Sequence, residues 1–213
     1  MAQLTTDERR AWRRKILDIS LRKQKPGSGS TLTMEREPRA VWLDLTGVLR
    51  GIPWAIVGAV AAREYARERR TGALDIAVMR EPGAKAAERL EAAGLMRTGE
   101  LPFAGTVWHT RERVAVHVLE VDGEWWPAAL AAAASNTDAR GAPVLPLKYL
   151  VLMKLASGRL WDASNLTEIL GRANERQLNE VRDLVRRHSP ADFEDLESLI
   201  MLGKLEFGEA ARG

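Results

Sequence analysis

Pro53-Trp-Ala-Ile-Val-Gly58-Ala-Val-Ala-Ala-Arg-Glu-Tyr65-Ala-Arg-Glu-Arg69-Arg-Thr71-Gly-Ala73-Leu-Asp75-Ile-Ala-Val78 is the stretch that sets the architecture. Trp54-Ala55-Ile56-Val57 is an apolar run of strand length, and Gly58 permits a tight turn straight into a helix. Val60 to Ala66 carries a helical pattern, with Ala61, Ala62 and Tyr65 on one side. Arg67, Glu68, Arg69 and Arg70 are too charged for a core. Leu74, Ile76 and Val78 alternate with Asp75 and Ala77, as in a strand with two distinct faces. The expected order is buried strand, glycine turn, short helix, basic loop, second buried strand.

Composition bounds the class. With 213 residues the chain is one larger domain or two small ones, and its apolar and charged fractions are those of a globular protein. No apolar run approaches the ~20 residues of a spanning helix. The Arg-rich N-terminus lacks the apolar segment of a secretory signal. There is no cysteine, which removes disulfides, thiolate metal sites and a cysteine nucleophile. A cytoplasmic location without membrane contact is expected. His109, His117 and His188 are too scattered for a histidine metal cluster. The net charge is only +3, yet Arg9, Arg10, Arg13, Arg14, Lys15, Arg22, Lys23 and Lys25 crowd the N-terminus.

Residues 4–24 read as a basic amphipathic helix with an apolar stripe of Trp12, Ile16 and Ile19. Its expected posture is stripe docked on protein, with the basic faces exposed to phosphate. A linker rich in Gly and Ser follows from Pro26 to Thr31. Glu37 to Leu49 reads as a second helix. Ala84 to Ala93 is a helix stopped by Gly94. Thr106–Thr110 and Val114–Val121 read as paired strands around Arg111-Glu112-Arg113. A helix runs from Trp125 to Ala134, a polar loop follows to Pro143, and helices cover Asn174–Val185 and Asp192–Leu205.

The opening stretch resembles the signature of the DNA-polymerase-β-like nucleotidyltransferases, and most closely the AbiE/MenT-type toxin branch. That pattern is strand, Gly-Gly-x-Ala, a helix ending in Tyr-Gly, then Arg-x-Thr-x-Asp-Ile-Asp. Gly58-Ala59-Val60-Ala61, Tyr65-Ala66 and Arg69-Arg70-Thr71 match it, with Ala59 for the second glycine. Of the carboxylate pair, Asp75 is present and Ala73 stands at the first position. A second match starts near Leu147: Lys154, Arg159 and Asp162 keep the family's helical segment, and Asn165 replaces its last Asp. Val116-His117-Val118-Leu119 aligns with a Val-Asp-Val-Leu run that often carries a third carboxylate. His117 there is either a partly exposed strand histidine or a metal or phosphate contact, and Glu120 lies on the other strand face.

The resemblance spans about residues 40–170 and implies an α/β (α+β) fold: a small mixed sheet flanked by helices, with a helical C-terminal half. The expected domains are 1–33, 34–145 and 146–213. It implies Asp75, Lys154, Asp162 and the position of Ala73 as the catalytic set. Gly58, Ala59, Arg69, Thr71 and Lys154 would be nucleotide contacts, with Asp75 and position 73 as metal positions. Nucleotidyl transfer uses divalent ions to clamp a triphosphate and the attacking oxygen. Two carboxylates at i and i+2 of a strand share a face and can serve one cluster. The implied cofactor is Mg2+ and the substrate an NTP. The acceptor is an RNA end, such as the tRNA acceptor stem, or a protein hydroxyl. The implied partners are RNA and a cognate antitoxin; oligomeric state is open. Ala73 has two readings: an inactivating substitution in a toxin, or a natural pseudo-nucleotidyltransferase that binds nucleotide, RNA or a partner. A basic RNA-binding module led by the N-terminal helix is the third class.

Overall fold

The computed structural model describes residues 5–23, 43–66, 71–102, 104–157 and 160–208. The fold is α+β, and the chain divides into two compact units. One is Arg36–Pro146; the other joins Met1–Glu35 to Leu147–Gly213. Among the described residues no helix is long and apolar enough to cross a membrane.

The first unit is built on one mixed five-stranded sheet, ordered β1-β2-β5-β4-β3. Its strands are β1 (Trp54–Ile56), β2 (Ala73–Met79), β3 (Met96–Glu100), β4 (Gly105–His109) and β5 (Ala115–Val121). β1 pairs antiparallel with β2, and β2 runs parallel to β5, with Asp75 opposite His117. The β4–β5 hairpin is antiparallel, as the alternation around Arg111-Glu112-Arg113 predicts. Leu74, Ile76, Ala77, Val78 and Val116 are fully buried, so the centre of the sheet is the core of this unit. Beyond β1 the chain returns at residues 143–145, where Ile56 donates to Pro143 O and accepts from Leu145 N. Around the sheet stand α2 (Gly58–Ala62), α3 (Gly83–Ala92) and α4 (Trp126–Ala133).

Two expectations change here, and one strand was not expected. The expected helix at Glu37–Leu49 is not formed over the described residues: 43–45 have no regular structure and 46–50 are turns, while residues 37–42 lie outside the described residues. Thr46 N–H bonds the Asp44 side chain at 2.9 Å, a local turn that competes with helix bonding. The helix expected at Val60–Ala66 starts earlier, at Gly58, and ends at Ala62. Its continuation through Tyr65 uses i→i−3 bonds such as Tyr65 N to Ala62 O, the tighter winding of a fraying helix end. β3 has no counterpart in the sequence reading. Its residues are almost all exposed, so this edge strand carries no apolar alternation to announce it.

The second unit is helical: α1 (Thr6–Lys23), α5 (Leu147–Ser157), α6 (Leu160–Arg172), α7 (Glu175–His188) and α8 (Phe193–Phe207), with a 3-10 turn at Pro190–Asp192. Asn174 and Gln177 close a reciprocal capping box at the start of α7. Leu150, Val151, Leu166, Leu170, Leu178, Val181, Leu196 and Leu199 form the core of this unit.

The posture expected for the N-terminal helix is reversed. Trp12, Ile16 and Ile19 are exposed at 54%, 37% and 53%, while Arg13 and Leu17 are buried at 2% and 4%. The cause lies at the start of α8, where Asp192 and Asp195 are buried. A buried carboxylate without a partner is costlier than a few apolar side chains in water. Arg13 answers both acids: Nε donates to Asp195 Oδ2 and Nη2 to Asp192 Oδ1, each at 2.7 Å, and Nη1 to Leu155 O. Arg10 and Arg14 bind the same two aspartates from the rim. Arg13 is therefore spent inside the protein, and Arg10 and Arg14 are paired with aspartate at its rim.

Candidate functional site

The glycine turn and the carboxylate strand meet in the first unit. Val57 N–H donates to Asp75 O at 2.9 Å and ties the end of β1 to the middle of β2. Gly58 follows at φ +65, a conformation that L side chains rarely adopt. A Cβ there would sit only 3.0 Å from Asp75 Cγ and inside contact of Oδ2. The glycine is thus required by φ and by the closeness of the Asp75 carboxylate.

Asp75 is half-buried, and its Oδ1 lies 2.9 Å from His117 Nδ1 on the neighbouring parallel strand. An ionised carboxylate can only accept, so the hydrogen bond to Asp75 requires the ring proton on Nδ1. Ala73 shares the Asp75 face of β2 and is 8% exposed. Thr71 ties down the start of β2, donating through Oγ1 to Ala73 O at 3.0 Å. Ala59 stands second in α2, half-buried. Tyr65, just past α2, donates to Leu145 O, and Asn136 Nδ2 bonds both the Tyr65 hydroxyl and Val144 O. Glu120 lies over Gly83 at the start of α3, on the strand face opposite His117.

Lys154 and Asp162 come together in the second unit. Lys154, in α5, is buried, and its Nζ lies 2.8 Å from Asp162 Oδ1 in the first turn of α6. Ser157 Oγ donates to Asp162 Oδ2 at 2.5 Å and lies 2.9 Å from Lys154 O. A lysine on an apolar helix demands a partner, and Asp162 is it. Arg69 and Arg159 lie outside the described residues.

Two features escaped the sequence reading. The Asp75–His117 pair depends on strand register, since the two residues are 42 apart and meet only because β2 and β5 run parallel in this alignment. The Ser157 bond to Asp162 has no sequence signal at all.

Of the two positions expected to hold magnesium, only Asp75 carries a side-chain oxygen. Magnesium is held octahedrally by one or two carboxylates together with waters and substrate phosphates, so the alanine leaves the smaller of these sets. Ala73 supplies no side-chain oxygen, Asp75 Oδ1 is engaged by His117, and Oδ2 lies against Gly58. Among the described residues no group of three or more His, Cys, Asp or Glu could hold a metal ion.

No protein-family model matches the chain, and no curated protein matches it. Among solved structures it is similar to the crystal structure of ANT(2″)-Ia in complex with adenylyl-2″-tobramycin. Identity is 13% over 75% of this chain and 92% of that one, with a TM-score of 0.43. It is also similar to the solution structure of the antibiotic-resistance factor ANT(2″)-Ia. Identity there is 15% over 75% and 87% of the two chains, with a TM-score of 0.41. Both are distant likenesses with loose superposition.

Proposed function

We propose that this chain is a nucleotide-binding protein of the nucleotidyltransferase type whose metal-dependent transfer step is lost. The observation that carries the reading is the interlock of Gly58 with Asp75, in the order strand, glycine turn, helix, strand. That arrangement brings main-chain groups and one carboxylate to a single place, as the sequence motif requires. Two departures at the same place support the loss of transfer. Ala73 removes one carboxylate, and His117 engages the one that remains. A toxin silenced by one substitution would differ at position 73 alone, so the second departure favours the natural binding protein over the silenced enzyme.

RNA, with the tRNA acceptor stem first, and a cognate antitoxin are the macromolecules to present to it. Calorimetric titration of the full chain with each NTP tests the reading, beside a labelled-NTP transfer assay on total RNA. Binding of at least one NTP without label transfer is the expected result. Absence of any binding overturns it, and transfer by the unmodified chain restores an active enzyme. The silenced-toxin reading predicts that Ala73→Asp alone gives label transfer. The binding reading predicts that it does not, because Asp75 stays held by His117. The titration repeated on Lys154→Met tests the phosphate contact that the resemblance implies for Lys154.

A further inference from the structure

We infer that this site takes a nucleoside triphosphate without a divalent cation, and that His117 is the positioning residue that makes this possible. The inference rests on the nucleotide-binding reading and deepens it. A triphosphate and a bare carboxylate repel each other, and the repulsion grows as the local dielectric falls. A site with carboxylates facing phosphate therefore needs something positive, or a hydrogen-bond donor, on the carboxylate. A metal ion is one solution.

The geometry around Asp75 provides another. The carboxylate is fixed at one oxygen, where His117 Nδ1 lies 2.9 Å from Oδ1, and its Oδ2 lies close against Gly58. The imidazole is a fixed neighbour, because Asp75 and His117 are register partners on parallel strands. A hydrogen bond from Nδ1 draws charge from the carboxylate and holds it in one orientation. Position 73, two residues back on the same face, adds no second negative charge. Glu120 lies on the opposite face of β5 and does not contribute to this side. Among the described residues of β2 and β5, Asp75 is the one carboxylate on this face, and an imidazole engages it.

The experiment is calorimetric titration of the full chain with each NTP, once in magnesium chloride and once in EDTA. The expected dissociation constants agree within about threefold between the two buffers, well under the tenfold step that marks a substantial free-energy change. Weakening of about tenfold or more in EDTA overturns the inference while leaving the nucleotide site in place. Failure to bind in either buffer removes the nucleotide reading itself. His117→Ala exposes the carboxylate. It is expected to weaken binding in EDTA by about tenfold and to make binding respond to magnesium. His117→Asn, which keeps an amide donor near the Nδ1 position, is expected to recover most of the metal-free affinity. If His117→Ala remains folded by circular dichroism and binds in EDTA like the unmodified chain, the role given to His117 is overturned.

Discussion

Gly58 and Asp75 constrain each other, and neither can be replaced independently. The +65 value of φ at Gly58 costs a non-glycine residue roughly 1–2 kcal/mol. A methyl group there must also displace the Asp75 carboxylate from His117. Gly58→Ala is therefore expected to destabilise the protein by roughly 2–3 kcal/mol, the strain plus a disturbed hydrogen bond. With Asp75→Ala in the background, the same change should cost about 1 kcal/mol less, since only the backbone strain remains. Urea denaturation of the two single variants and the double variant measures the coupling; strict additivity would mean that the close approach to Asp75 is irrelevant to Gly58. The sequence made Gly58, Ala73 and Asp75 visible because a local motif carries them in order. It hid the role of His117, since a partner 42 residues away is defined by the register of β2 on β5.

At the scale of elements, periodicity served well wherever one face of a segment is buried. β2, β4 and β5 alternate, and α7 and α8 keep their apolar spacing, so all five were legible. β3 is exposed along nearly its whole length and was not. The stripe of α1 was legible as a stripe, but its partner face was chosen by charge and not by hydrophobicity. The crossing of α6 over α8 is another feature that spacing does not reveal. Gly171 and Gly203 face each other there, and a Cβ on Gly171 would lie 2.6 Å from the Gly203 carbonyl carbon. The helices approach so closely because neither residue has a side chain. Gly171→Ala must push the two backbones apart, which costs roughly 1–3 kcal/mol as overpacking does, despite the better helix propensity of alanine. A thermal melt decides the matter: an unchanged or raised midpoint would show that the crossing relaxes without loss.

For the molecule as a whole, the N-terminal helix belongs to the helical unit, and the bond is electrostatic. Asp192 and Asp195 are buried at the head of α8, and Arg10, Arg13 and Arg14 reach them from α1. Burial alone would raise the Asp192 carboxyl, but hydrogen bonds from Arg10, Ser189 and Arg13 outweigh it and hold the group below its usual value of 3.8. Removing Arg13 takes the partner that two buried acids share, a loss of roughly 3–5 kcal/mol. At roughly 2–4 °C per kcal/mol for a chain of this size, Arg13→Leu should lower the melting midpoint by about 10 °C. Trp12→Ala, on the exposed face, should change it by no more than about 1 °C, since surface substitutions stay within ~0.5 kcal/mol. The pH dependence follows from the sign of the shift. A depressed carboxyl adds stability that is fully present above the unfolded value of 3.8 and disappears as pH falls below it through the folded value. Stability should then drop steeply in acid for the unmodified chain. Asp192→Asn should begin lower at neutral pH and show a shallower acid slope, because the group that takes up the proton is gone. Equal acid slopes for the two proteins, measured by urea denaturation from neutral pH down to about pH 3, would mean that Asp192 does not carry the linkage.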